Sequence, residues 1–209
     1  MIRKAFFYFL IFLFIYFIIG GVIFNHLAKV QVPDFKDYLL KNSKFLSKEE
    51  GFTQEVKNVE NDWVHLRVFL SPRAAGPPEH IHENFDEYFV VERGTASILL
   101  GGKKLILKAG EHIVIPKGTP HKPFNETNEI VVLNDTSNQH PTMPCEFAYG
   151  LSKLYPYMDK FGPESPKVLL QLAALGNSTD TWVVKAPIPV QKTIRWLLGP
   201  TARLFGYGK

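Results

Sequence analysis

Between Trp63 and Asp135 the chain lays down six short apolar runs, spaced so closely that no helix fits between them. They read WVHLRVFL, DEYFVVERG, TASILLGG, KKLILKAG, EHIVIPKG and EIVVLND, each bounded by Gly, Pro, Asn or Asp. Short strands separated by turn residues point to an all-β sandwich or barrel. A doubly wound α/β fold needs helical crossovers, and this spacing excludes them. The first run alternates, with Val64, Leu66, Val68 and Leu70 on one face and Trp63, His65, Arg67 and Phe69 on the other. Gly101 and Gly102 stand between two apolar runs, a two-residue hairpin signal.

A second feature lies outside the strand-built region. The stretch AFFYFLIFLFIYFIIGGVIF, Ala5 to Phe24, carries no charge. About 20 apolar residues make a helix as long as the hydrocarbon core of a bilayer is thick. A cleaved signal peptide would have a shorter apolar region and small residues at its end, whereas NHLAKV follows here. The expectation is a transmembrane anchor over residues 1–28. Arg3 and Lys4 precede it and Lys29 and Lys36 follow, a slight basic excess that favours a cytoplasmic N-terminus and an extracytoplasmic, periplasmic domain. Residues 29–50 read as a linker or short helix, entered at Pro33-Asp34. The net charge is only +4, with no nucleic-acid motif, so nucleic acid is not an expected partner. Cys145 is the only cysteine, which excludes an internal disulfide and any paired-cysteine metal site.

The segment PPEHIHENFDEYFVVERG, Pro77 to Gly94, concentrates metal-ligating side chains. On a strand, His80 and His82 share a face while Ile81 points away. Glu87 opens the run YFVV; if it faces inward, so do Phe89 and Val91, which would line a pocket beside it. Two neighbouring strands could then aim two imidazoles and a carboxylate at one point, donors that suit a divalent first-row metal. The competing reading is a solvated polar turn, since HENFDE is hydrophilic. Further on, Pro116 and Gly118 make a turn after a strand, and His121 becomes a fourth ligand if the sheets fold back.

These two segments resemble the paired motifs of the cupin superfamily. His80, His82, Glu87 and Gly94 match the spacing of the first motif, and Gly110, Pro116, Gly118, His121 and Asn125 match the second throughout. The departure is Gly76, three residues before His80 where the family usually has five. The resemblance covers roughly residues 75–125, with flanking strands filling out a domain over 51–150. It implies a jelly-roll β-barrel with a metal held by His80, His82, Glu87 and His121. The metal would be one divalent transition ion: iron, manganese, nickel, zinc or copper. Cupins often pair through their sheets, so the resemblance also implies a homodimer.

Residues 151–209 read as a helical extension similar to that of a set of bacterial cupins. One helix follows Pro166 and ends at Gly176-Asn177, and TWVVKAP makes a strand or extended link. Beyond it Lys192, Arg195, Arg203 and Lys209 alternate with apolar residues, either as a membrane-interfacial helix or as a flap on the barrel. His65 and Arg67 are read as outward-facing, His112 as exposed or structural, His26 and His140 as partnerless, and Cys145 as a buried small hydrophobe. Taken together the sequence points to a metal-dependent enzyme, a dioxygenase or related oxidoreductase or another cupin enzyme such as a lyase or isomerase, acting on a small organic molecule. Glu87 would serve as ligand or base. A non-catalytic ligand-binding module and a membrane scaffold are the alternatives.

Overall fold

The computed structural model describes residues 2–27, 30, 32–134 and 143–209, so that Lys29 and His140 lie outside the described part. It begins with helix α1 (Ile2–Leu27) and the single turn α2 (Phe35–Tyr38). Ten strands follow: β1 (Lys44–Ser47), β2 (Phe52–Glu60), β3 (Trp63–Leu70), β4 (His80–Ile81), β5 (Glu87–Arg93), β6 (Thr95–Leu100), β7 (Lys103–Lys108), β8 (His112–Ile115), β9 (His121–Phe124) and β10 (Val131–Asn134). The chain closes with β11 (Met143–Pro144), α3 (Cys145–Phe161), α4 (Pro166–Leu175), β12 (Trp182–Val183) and α5 (Ile188–Leu204).

The strands form two antiparallel sheets. The larger runs β1-β2-β3-β10-β5-β8 with β11 on β3, and the smaller runs β12-β4-β9-β6-β7. Inward side chains of both sheets make the core, with Val56, Val64, Leu66, Leu70, Val91, Ile98, Ile115 and Leu133 all but sealed from solvent. The alternation read from β3 holds, Val64, Leu66, Val68 and Leu70 being buried and their neighbours half-buried. The β6–β7 hairpin turns at Gly101 and Gly102, both at positive φ. That is the geometry a two-residue turn of this hand requires.

The expected barrel is not closed. Closure needs every edge strand to find a partner. Here helix α3 packs along β1 and α5 packs beside β12, so helices rather than ladder hydrogen bonds cover those edges. The result is a jelly-roll-like sandwich with helices at both ends. The segment 29–50 also holds more than a linker, because β1 pairs with β2 from Lys44↔Glu55 to Ser47↔Phe52. Asp34 caps α2 by accepting from the Lys36 amide at 2.9 Å, as its place after Pro33 suggested.

The helices are built by apolar stripes. In α3, Phe147, Leu151, Leu154, Tyr155 and Met158 recur at helical spacing and are buried against the large sheet. This helix begins at Cys145, six positions inside the region read as strands. Helix α4 starts on Ser165 and Pro166 and stops at Gly176, where the sequence placed it. Helix α5 packs on α4 and on the end of α1. Arg203 donates to the Ala174 carbonyl at 3.0 Å and to Asn25 Oδ1 at 2.9 Å. Asn25 in turn donates to the Trp196 carbonyl at 3.0 Å. The basic residues of α5 are thus partly inward, not a uniform polar face.

Candidate metal centre

Strand β4 pairs with β9 at one register point, His80↔His121. That single pair brings the two sequence motifs together. A second link is the Gly118 amide, which donates to the His82 carbonyl at 2.7 Å. The entry to β4 is equally tight: Gly76 has φ +71°, and a β-carbon there would lie 2.0 Å from the Pro123 carbonyl oxygen. Only glycine fits, which accounts for the residue although its spacing departs from the motif. Asn125, at the end of the second motif, is a loop pin. Its amide donates to the Ser71 and Glu129 carbonyls at 2.8 and 2.7 Å, and its oxygen accepts from the Thr127 amide and hydroxyl.

The ring nitrogens of His80, His82 and His121 converge within 4.8 Å of one another, all three residues being buried. Glu87, at the start of β5, completes the group. Its Oε2 lies 3.0 Å from His121 Nε2 and its Oε1 3.9 Å from His82 Nε2. The other ring nitrogen of each histidine is committed to the backbone. His80 Nδ1 meets the Pro78 carbonyl at 2.8 Å, His121 Nδ1 the Thr119 carbonyl at 2.9 Å, and His82 Nδ1 the Asp180 carbonyl at 2.5 Å. A carbonyl can only accept, so each Nδ1 carries a proton and, where the ring is neutral, Nε2 keeps its lone pair. This is how metal-ligating histidines are oriented. His82 Nε2, His121 Nε2 and Glu87 Oε2 are buried with no hydrogen-bond partner. Buried unsatisfied atoms are rare and costly, and three aimed at one point fit a cation.

The protonation states of His80, His82 and Glu87 agree. Burial, then the neighbouring imidazoles of His82 and His121, push His80 down to about 3. Burial also lowers His82. Burial alone would raise Glu87, but the approach of His121 and the other two rings outweighs it and holds the carboxyl at about 2. Burial pulls His121 down, yet Glu87 beside it wins and raises it. At neutral pH the cluster offers a carboxylate and, at His80 and His82, imidazoles whose lone pairs are free, while His121 holds a proton towards Glu87 that a bound cation would displace.

His80, His82 and Glu87 border a cavity of about 150 Å³. Its walls are mainly apolar, with Phe52, Val68 and Phe89 from the large sheet and Phe147, Leu151 and Leu154 from α3, and Glu50, Gln54, Tyr155, Thr181 and Arg195 add polar groups. Phe89 lines the cavity as its place on β5 implied. Val91 does not. It is fully buried in the sandwich core, because two residues carry a strand about 7 Å further along, past the cavity. Tyr88 points away and packs near His112, itself exposed. Arg67 forms a bidentate pair with Glu92 on the outer face, at 2.7 and 2.5 Å. Cys145 is buried and its thiol is pushed up to about 11 by burial, then by Asp62, which leaves it inert.

Sequence reading missed the residues that hold these ligands in place. Asp180 holds His82 through its carbonyl, while its carboxylate accepts from the Glu83 and Asn84 amides at 3.0 and 2.8 Å. It also accepts from the Trp182 indole at 2.8 Å. Arg195 from α5 secures the same segment by donating to the Thr179 and Thr181 carbonyls at 2.8 and 2.7 Å. Nothing local in the polar stretch GNSTDTW marks such a residue. The α3 stripe from Phe147 to Met158, by contrast, was readable as helical period.

Residues 66–137 match the sequence profile of the cupin domain. A protein of Aquifex aeolicus is 32% identical over 96 residues, covering 45% of this chain and 78% of its own length. The oxidoreductase iacF of Pestalotiopsis fici is 28% identical over 97 residues, 42% of this chain; the alignment spans 48% of that fungal protein, about half its length. Among solved structures, a cupin-2 domain protein of Shewanella frigidimarina is 30% identical, covering 49% of this chain and 90% of its own, with a TM-score of 0.35.

Proposed function

The chain belongs to the cupin superfamily, and on that premise we propose that it is a membrane-tethered, metal-dependent enzyme acting on a small, mainly apolar organic molecule. The observation that carries this reading is the convergence of His80, His82, His121 and Glu87 beside a mainly apolar cavity that His80, His82 and Glu87 border. An apolar pocket with a few convergent polar groups is the usual form of a small-molecule site. A divalent metal bound there would supply Lewis-acid or redox activation of a substrate oxygen or of dioxygen. Glu87, carboxylate at neutral pH, would ligate it or take a proton from the substrate. The fungal oxidoreductase relative favours redox chemistry over other cupin reactions.

The tether is part of the same proposal. Helix α1 has 26 residues, about 39 Å of length against a hydrocarbon core of about 30 Å. It exposes Phe6, Phe7, Phe12 and Phe14 on all sides. Arg3 and Lys4 at its start would stay cytoplasmic, leaving the cupin domain outside. Its far end is tied to α5, whose outer side exposes Val190, Ile194, Leu204 and Phe205, a surface suited to the bilayer interface.

The test is metal analysis of the full chain, purified without a histidine tag, beside a His80→Ala/His82→Ala variant. Oxygen uptake is then followed with phenols, diketones and thiols. Near-stoichiometric metal that the variant lacks, together with uptake, supports the reading. A wild-type chain that stays empty after saturation with each candidate metal overturns it. Ligand-dependent thermal shifts without product would replace it with the binding-module reading.

A further inference from the structure

Away from the metal centre, a cleft of about 540 Å³ opens where α5 meets the far end of α1. Asn25, Asn177, Trp196, Lys192, Arg195 and Arg203 line it, and no acidic residue does. Asn25 Oδ1 holds Arg203 Nη2 at 2.9 Å, and the Arg195 guanidinium lies 4.2 Å over the ring of Trp182, which also borders the cleft. Both arginine head groups therefore stand at its wall.

Their partners are neutral. Arg195 donates to the Thr179 carbonyl and hydroxyl and to the Thr181 carbonyl. Arg203 donates to the Ala174 carbonyl and to Asn25. Among the described residues no carboxylate lies within 4 Å of either guanidinium, whereas Lys192 is already neutralised by Glu83 at 2.7 Å. Asp180 acts on Arg195 only from beyond that distance, its carboxylate being engaged by the Glu83 and Asn84 amides and the Trp182 indole. Burial lowers Arg195 to about 10 and lowers Arg203 as well, and at neutral pH both stay charged. Holding carbonyls needs N–H groups but no charge. Two cations held by neutral acceptors in one acid-free cleft leave an uncompensated field that favours an anion.

Position says which anion. From Lys4 to Asn25, α1 rises about 32 Å, against a hydrocarbon core of about 30 Å. With Arg3 and Lys4 at one membrane face, Asn25 and the cleft stand at the headgroup level of the other. Trp196 sits on α1 there, since a β-carbon at Gly21 would lie 3.1 Å from its ring, and exposed tryptophan is favoured at that depth. We propose that this cleft binds the phosphodiester headgroup of an anionic phospholipid, with Arg195 and Arg203 supplying the charge. This rests on α1 spanning the bilayer.

The test places the full chain in dioleoylphosphatidylcholine vesicles that carry either phosphatidylglycerol or phosphatidylcholine with brominated acyl chains. Bromine quenches tryptophan on contact, and Trp196 is the exposed one of the three tryptophans. Phosphatidylglycerol should associate about tenfold more tightly than phosphatidylcholine. Arg203→Gln should cut that ratio to about threefold or less, while Arg203→Lys, which keeps the charge, should hold it above about fivefold. Because each ratio compares two lipids on the same chain, a general loosening of α5 cancels. Equal association of the two lipids with wild type overturns the proposal, as does a ratio that Arg203→Gln leaves unchanged or that both variants lose alike. Release of the phosphatidylglycerol quenching by millimolar inorganic phosphate overturns the lipid assignment in favour of a free anion. Absence of quenching by either lipid overturns the tether itself, whereas equal quenching by both removes only the headgroup site.

Discussion

Glu50→Gln should make the stability of this protein less dependent on pH, and the size of the effect follows from where the carboxyl sits. Burial, opposed by the Tyr155 hydrogen bond and reinforced by Asp159, raises Glu50 from 4.5 to about 7. The folded chain therefore keeps a proton between about pH 4.5 and 7 that the unfolded chain has lost. Stability from this group is full below about pH 4.5 and is lost as pH rises through 7. Above pH 8 the ionised carboxylate costs on the order of 3 kcal/mol. Glutamine has the same shape, still accepts from Tyr155 and carries no charge. Wild type and variant should melt alike at pH 4. At pH 8.5 the variant should melt about 6–12 °C higher, for a chain of this size. The assay is thermal denaturation of both full chains in the same detergent across that range, read as a difference so that other titrating groups cancel. Parallel curves would mean that water or a cation already compensates Glu50, and the buried-acid argument would fail.

Three further outcomes are expected. Asp180→Ala removes the carboxylate that fixes the Glu83–Asn84 turn and the Trp182 indole but keeps the carbonyl that meets His82 Nδ1, so His82 is held on a looser segment; metal affinity should fall about tenfold in a chelator-competition titration. Gly76→Ala forces a β-carbon onto the Pro123 carbonyl at a positive φ, and should cost about 3 kcal/mol or more in denaturant unfolding. Arg67→Ala breaks an outer-face pair whose side chains are 35% and 41% exposed, and should cost under about 1 kcal/mol while metal content is unchanged. A loss of metal there would mean that β3 and the centre are coupled more strongly than their packing implies.

The roles of the terminal helices follow from the same geometry. Helix α3 lays Phe147, Leu151 and Leu154 over the cavity and packs Phe147 against His82, which screens the centre from solvent and strengthens its electrostatics. Helix α5 reaches the centre indirectly, through Arg195, the segment at Thr179–Thr181 and the Asp180 carbonyl on His82. The end of α1 is fastened to α5 at Asn25 and Arg203.

What was legible in the sequence is what local rules control. Alternation on β3, the Gly101-Gly102 hairpin, the apolar length of α1 and the start and stop of α4 each depend on residues a few positions apart, where the backbone period or a turn dictates the outcome. His80, His82, Glu87 and His121 were legible for a related reason, because their spacing places them at strand ends that a two-sheet fold brings together. The tertiary structure decided the rest. Only packing of α3 and α5 against β1 and β12 leaves the sandwich unclosed, and only the offset along β5 puts Phe89 in the cavity and Val91 in the core. Asp180 reaches His82 from 98 residues away. Gln54 meets Tyr155 from 101 away. No period or motif spans such separations, since these contacts exist through the packing of elements that share no local register.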